Sequence, residues 1–422
     1  MLRTSIIKEN AEKIISSLKK KNFDAQQIIN EIISIDNLRI NLQKELNGLQ
    51  NQMNSLSKEI GMCFAENNKN KAEKLKSESG SLKVLIQKKN TEQKKTIKRI
   101  NELLIQIPNT PNENVPIGNT ENDNEIIQTY GLMPNLKNLK LPHWDLATKY
   151  DIINFEKGNM ITGSGFPLYK NKGAKLQRSL INFFLDFNIE HGYTEYLPPQ
   201  LVNEASAFGT GNFPDKEGQM YHVEKDNLYL IPTAEVPLTN IFRNEILDLT
   251  SLPQKLTAYT PCFRREAGSY GKNVRGLNRL HQFDKVEIVQ LTHPERSHAH
   301  LKEMVTHVSR LLEKLELPFR LVKLCGGDLS FSSSLTYDFE VFSGAQNKWL
   351  EVSSVSNFES FQATRSNIKF RENNKLEFCH TLNGSALALP RIMAAILENN
   401  QTDSGIKMPE ALYKYTGFKI IS

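Results

Sequence analysis

The sequence predicts an α+β chain in which an N-terminal antiparallel two-helix coiled-coil arm precedes a domain with a mainly antiparallel sheet flanked by helices. Three observations carry this expectation. From Leu38 to Ile107 there is no proline, and Leu, Ile, Lys, Glu, Gln and Asn dominate. The following PNTPNENVPIGNTENDNE is dense in Pro, Asn and Gly, which ends a helix and reads as a linker. Beyond Glu125, short β-like runs (LYLIP, KLTAYTPCF, KVEIVQL, FRLVKL, YDFEVF) often follow one another without an intervening helix. The predicted divisions are 1–107 for the helical domain, 108–124 for the linker and 125–422 for the second domain. A chain of 422 residues is long enough to bury two cores.

Within the arm, Leu42, Leu46, Leu49, Met53, Leu56 and Ile60 alternate spacings of four and three, a heptad seam. The pattern fails between Gly61 and Gly80 and resumes with Leu82, Ile86, Ile97, Ile100, Leu104 and Ile107, so two helices folding back across a polar tip are expected. Lys89 and Gln93 fall where the seam would continue, which predicts a weakly specified, mobile middle for the returning helix. Between Leu38 and Leu104, 14 Lys or Arg face 7 Asp or Glu, a surplus of seven against +6 for the whole chain. An exposed rod that concentrates the excess positive charge is suited to a phosphate backbone, although a solvated helical face has the same composition.

Several function classes are disfavoured. Cys63, Cys262, Cys325 and Cys379 are far apart and form no C-x-x-C pair, against a zinc site or a disulfide framework and in favour of a reduced, cytoplasmic setting. No run approaches the roughly 20 apolar residues of a membrane span, and the N-terminus lacks the apolar core of a signal peptide. GSYGKN has two residues between its glycines where a P-loop has four, GTGNFP has two of the three glycines of a dinucleotide fingerprint, and no serine sits in a G-x-S-x-G elbow.

FRREAGSYGKNVRGLNRLHQF, residues 263–283, holds four arginines, one lysine and three glycines, with Glu266 its only acid. Strand-like LTAYTPCF precedes it and QFDKVEIVQL follows it, so it is the loop of a hairpin. Arginines so placed suit bidentate recognition of phosphate, and the glycines let the loop approach a ligand closely.

This segment resembles the second signature motif of class II aminoacyl-tRNA synthetases, in the form found in seryl-tRNA synthetases. GAKLQRSLINFFLDFNIEHGYTEYLPP is similar to the first motif, a helix with Leu176, Leu180, Phe184 and Phe187 on one face and then a strand closing at Pro199. LNGSALALPRIMAAILENNQ resembles the third, a strand and helix carrying Arg391, while TAEVPLTN and WLEVSSVSNFESFQATR are further matches to the seryl enzymes.

The resemblance implies a ligase that activates L-serine with ATP and transfers it to serine tRNA, working as a homodimer with Mg²⁺; it leaves open whether selenocysteine tRNA is charged too. It implies catalytic roles for Arg264, Glu266 and Arg391. The implied ATP contacts are Arg264, Arg265, Glu266, Arg279, Phe283, Glu351, Val352, Ser353, Ser354 and Arg391, with Phe283 and Arg391 on either side of adenine and Glu351 and Ser354 holding the metal. Thr233, Ala234, Glu235, Glu287 and Ser385 are implied around serine, and the arm is implied to grip the tRNA. In the hairpin, Lys272 and Arg275 at the tip are expected to move and meet the tRNA acceptor end. Two alternatives stay open: a non-catalytic RNA-binding paralogue of the same fold, and an enzyme for another amino acid.

Overall fold

The computed structural model describes residues 1–136, 140–266 and 275–422. Chain contacts divide it into two compact units, Met1–Lys19 with Phe23–Pro108, and Lys20–Asn22 with Asn109–Ser422.

In the first unit, α1 (Gln26–Ala65) and α2 (Lys69–Leu104) run antiparallel as the arm. The turn between them is only Glu66–Asn68, with the Asn68 side chain capping the Lys71 N–H, so the expected tip from Gly61 to Gly80 is corrected to three residues. Lys, Glu and Ala are good helix formers even where no apolar seam marks them, and Gly80 is tolerated because nothing packs against it. The seam on α2 also differs from expectation: Thr96 is buried and Ile97 is exposed. Lys89 and Gln93 do occupy seam positions, where Lys89 pairs with Glu45 at 2.6 Å and Gln93 donates to Gln43 at 2.7 Å. Apolar packing concentrates at the base, around Ile29, Ile32, Ile100, Leu103 and Ile107, and near the tip, around Cys63, Ala72 and Leu75.

The second unit is organised by an eight-stranded sheet. Its strands are β1 (Glu125–Tyr130), β2 (Thr194–Glu195), β3 (Gln254–Phe263), β4 (Gln282–Thr292), β5 (Phe319–Lys323), β6 (Leu335–Ser343), β7 (Lys348–Glu359) and β8 (His380–Ala388). The order is β1-β5-β6-β7-β8-β4-β3-β2, and every pairing is antiparallel except β2 with β3. Four of the five β-like runs lie in this sheet; LYLIP instead contributes Leu228–Leu230 to a separate three-stranded sheet. The strand expected to close at Pro199 stops at Glu195, because Pro198 and Pro199 have no N–H for a ladder.

Helices α3 (Asn171–Glu190), α4 (Ser297–Lys314) and α5 (Leu389–Asn399) pack on the sheet to form the main core. All four residues expected on the inner face of α3, Leu176, Leu180, Phe184 and Phe187, are buried. Alternation along β4 separates two environments: Val286 and Ile288 enter this core, whereas Val289 and Leu291 belong to a second cluster with Ala234, Leu256 and Ala258. Glu287, by the same period, turns away from the main core.

Removing the Phe184 ring from this core is expected to cost about 3–5 kcal/mol, read as a lower denaturant midpoint for the larger unit in Phe184→Ala. A loss below about 1 kcal/mol, as at an exposed position, contradicts the packing described.

Candidate active site

Antiparallel pairing from Phe263↔Gln282 to Gln254↔Leu291 makes β3 and β4 the stem of the basic hairpin. The tip, including Lys272 and the motion expected of it, lies outside the described residues. Beyond the stem, the Arg264 N–H donates to the His281 carbonyl at 2.9 Å and the Arg265 N–H to the Gln219 carbonyl at 2.9 Å. These bonds fix the backbone that presents both arginines. The Arg264 guanidinium lies 5.3 Å from the Phe283 ring centroid, a cation–π contact, and its Nε donates to the Pro232 carbonyl at 3.4 Å.

Glu266 adopts φ +49°, a left-handed conformation that costs an L-residue about 1–2 kcal/mol. Its carboxylate reaches across the base of the loop to Arg279 Nε at 2.8 Å, so two of the expected ATP residues hold each other.

Below the stem lies a buried polar pocket. Lys285 and Glu287, two residues apart on β4, share one face, and Lys285 Nζ sits 2.5 Å from Glu287 Oε2 and 2.9 Å from Thr233 Oγ1. Asn383 on β8 donates to the other Glu287 oxygen at 3.3 Å, and Ser385 pairs directly with Glu287 across the β4–β8 ladder. Glu235 begins a short helix, Glu235–Asn240, directly after buried Ala234. It accepts from Gln362 Nε2 at 2.6 Å, and Gln362 is oriented by Thr381, whose hydroxyl donates to its Oε1 at 2.7 Å.

Two buried carboxyls therefore face one lysine. Burial, with repulsion from Glu287, pushes Glu235 up to about 7. Burial also raises Glu287, against the pull of Lys285.

A β-bulge assembles the third group. On β6 and β7, Asp338 pairs with Ser354 and Glu340 with Glu351, although 351 and 354 are three positions apart where 338 and 340 are two. The register shift at Val352 places Glu351 and Ser354 on the same face, which plain alternation would forbid. Val352 and Ser353 are buried, and the Ser353 hydroxyl donates to the Ser385 carbonyl at 2.6 Å. Arg391, on the first turn of α5, joins the two halves: its NH1 donates to the Glu351 carbonyl at 2.6 Å and its Nε to the Asn278 carbonyl at 3.1 Å.

The residues expected to contact ATP, serine and the metal thus fall in these three groups on the second unit, whereas Lys272 lies outside the described residues. Sequence reasoning misses Lys285, Gln362, Thr381 and Asn383. Lys285 has a legible signal, a charge two residues before Glu287 and hence on the same face of the strand; Gln362 and Asn383 have none that distinguishes them from ordinary polar residues.

Folded Glu235 binds its proton more tightly than the unfolded chain does. Its share of stability is complete below the ordinary carboxylate value of about 4.5 and is lost as pH rises through about 7, roughly 3 kcal/mol in all. Denaturant unfolding at pH 5 and pH 8 should show that the stability lost on raising the pH is smaller in Glu235→Gln than in the wild type. Parallel pH profiles contradict the burial of this carboxyl.

Residues 1–111 match a family model described as the seryl-tRNA synthetase N-terminal domain, and residues 221–400 match the tRNA synthetase class II core domain (G, H, P, S and T). A serine–tRNA ligase of Salinibacter ruber is 45% identical over 421 residues, covering 99% of this chain and 98% of that protein. The crystal structure of seryl-tRNA synthetase from Pyrococcus horikoshii complexed with ATP superposes with a TM-score of 0.92 at 34% identity, covering 100% of this chain and 99% of that one. The cytoplasmic serine–tRNA ligase of Naegleria fowleri in complex with AMP gives a TM-score of 0.89 at 26% identity, covering 100% and 99%.

Proposed function

Since the chain belongs to the seryl-tRNA synthetase family, we propose that the three connected groups of residues form the site at which it activates L-serine with ATP and then charges serine tRNA. In the first step a serine carboxylate oxygen attacks the α-phosphorus of ATP, and pyrophosphate leaves with the electron pair of the broken P–O bond. In the second, a terminal ribose hydroxyl of the tRNA attacks the acyl carbon, gives up its proton, and AMP leaves. Neither step requires a side-chain nucleophile, so positioning and charge stabilisation supply the rate.

The observation that carries this reading is the buried pocket of Thr233, Glu235, Lys285 and Glu287 directly beneath a stem that presents Arg264. Glu235 and Glu287 are acceptors for an ammonium and a small hydroxyl. Arg264 is a fixed cation for the α-phosphate as its charge develops. Phe283 and Arg391 are assigned to the two faces of adenine, and Arg265, Glu266 and Arg279 to the rest of the nucleotide. Before ATP binds, the Glu266–Arg279 pair keeps these two side chains ordered; nucleotide binding exchanges that pair for substrate contacts.

The donor set also fits Mg²⁺. Glu351 and Ser354 present hard oxygens on one face, and beside them Asp338 keeps a buried Oδ1 with no hydrogen-bond partner among the described residues. Glu351 and Ser354 would hold the ion, which when bound neutralises phosphate charge.

The excess positive charge of the arm supports backbone contacts to tRNA, and the resemblance assigns those contacts to the long variable arm of serine tRNA. The domain bounds 1–107, 108–124 and 125–422 belong to the same reading. So does a homodimer: β1 is an edge strand exposed along its whole length, with Ile126, Ile127 and Tyr130 uncovered.

Charging of a serine tRNA transcript with labelled serine tests the reading directly; no charging with ATP and Mg²⁺ present overturns it. Arg264→Ala is expected to abolish adenylate formation while tRNA affinity stays nearly unchanged, and deletion of the arm from Leu38 to Leu104 is expected to do the reverse. A filter-binding assay run beside the charging assay separates the two. Sedimentation equilibrium should return the mass of two chains, and a monomer at micromolar concentration removes the dimer from the account.

A further inference from the structure

The motif PHWD, residues 142–145, lies outside every group described above, yet His143 has no solvent exposure and sits in a closed hydrogen-bond network. Its Nδ1 lies 2.7 Å from Glu398 Oε1, and its Nε2 accepts the Leu277 N–H at 2.8 Å. A backbone N–H has no choice but to donate, so the ring is assigned as the Nδ1–H tautomer, donating to Glu398 and accepting from Leu277.

Glu398 is fully buried, and among the described residues no lysine or arginine forms a salt bridge to it. It is satisfied by hydrogen-bond donors instead. Oε1 accepts from the His143 ring, from the His143 N–H at 3.0 Å and from Gln346 Nε2 at 2.9 Å, while Oε2 accepts from the Ser343 hydroxyl. A buried carboxylate that loses one such donor is costly, so the geometry is held on every side.

The network does not end in the core. Gln346 Oε1 accepts from Asn278 Nδ2 at 2.9 Å, and the Asn278 carbonyl accepts from Arg391 Nε. Glu398 and Arg391 are both on α5, so the path closes on itself through one rigid helix. On the hairpin side, Gly276 has φ +68°, and a Cβ there would fall 2.2 Å from His143 Nε2, so this backbone lies directly on the imidazole. Next to it, the Arg275 guanidinium stacks 4.7 Å from the Trp144 ring centroid, which places Arg275 in a contact rather than at a free tip.

We propose that the His143–Glu398 pair is a positioning device for ATP, locking the returning limb of the basic hairpin, Arg275 to Arg279, onto the helix that carries Arg391. His143 and Glu398 are positioning residues that touch no substrate. They set the spacing between the hairpin and Arg391 before nucleotide arrives, so less ordering is left for ATP to impose. The inference rests on the assignment of Arg279 and Arg391 to ATP made above.

Two one-sided replacements separate positioning from general support. Asn at 143 keeps a donor near the Nδ1 position for Glu398 but loses the acceptor for Leu277; Gln reaches the Nε2 position and keeps that acceptor. In serine-dependent ATP–pyrophosphate exchange with the full chain, His143→Asn is expected to raise the KM for ATP about tenfold, with the KM for serine and kcat at saturating ATP changed by less than about threefold. His143→Gln keeps the Leu277 bond but loses the donor to Glu398, so it breaks the same link from the other side and is expected to raise the KM for ATP about tenfold as well, with the other two values within about threefold. Gly276→Ala leaves every side chain of the network chemically intact and pushes on the His143 ring from the hairpin side. It is expected to give the same ATP-selective rise, and it decides the matter if His143→Asn does not fold. A wild-type KM for ATP in both His143 variants, a parallel rise in both KM values, or a lowered melting temperature with both KM values unchanged would each overturn the proposal. Absence of exchange in the wild type instead removes the functional reading on which it rests.

Discussion

The pocket depends on keeping two carboxyls out of water side by side. Glu235 and Glu287 are both buried, and the desolvation cost of each is several kcal/mol if ionised and unpaired. Lys285 answers one of them directly, and Gln362 orients the other with a neutral donor. Among the described residues one ammonium, Lys285, lies within salt-bridge distance of either acid, a local deficit that the Arg264 guanidinium offsets from farther off. The serine ammonium proposed to enter here brings a further positive charge; Lys285 Nζ itself lies between Glu287 and Thr233. In the function proposed above, a ligand without a hydroxyl leaves buried acceptors unmet.

The sheet makes that deficit affordable to hold. Lys285 and Glu287 belong to a central strand paired on both sides, so their backbone is fixed independently of the charges they carry. The same ladder carries Ser385 beside Glu287, and the bulge at Val352 turns Glu351 and Ser354 to one face. Helix α5 then bridges the nucleotide end of the site through Arg391 and the buried core through Glu398. Pocket, hairpin and oxygen donors are therefore three outputs of one register, and a one-residue slip would separate them.

Much of this was legible in the residues. Strong apolar alternation in KVEIVQL and the four-residue stripe on α3 specify elements whose packing is local and periodic, and the motif order locates Arg264, Glu287, Glu351 and Arg391. What escaped follows from the same physics. The polar stretch from Gly61 to Gly80 looks like a break because it carries no continuous seam, whereas helix-forming residues and the packing of Ala72 and Leu75 around Cys63 carry both helices through it. Ile97 was read as seam because an isolated isoleucine outweighs a threonine by composition, yet Thr96 fits the buried position and bonds its own helix through Glu92. The bulge at Val352, the Glu266–Arg279 pair and the His143–Glu398 network depend on residues up to 255 positions apart, and no periodicity reports contacts of that kind.

The central claim is that a hydroxyl-bearing ammonium ligand completes this pocket. Amino-acid-dependent ATP–pyrophosphate exchange across serine, threonine, alanine and glycine tests it most directly. The account predicts exchange with serine and a kcat/KM for alanine and glycine lower by a factor on the order of 10⁴, because both leave the buried acceptors unpaired. Acceptance of alanine within about tenfold of serine, the discrimination expected of size alone, would contradict it.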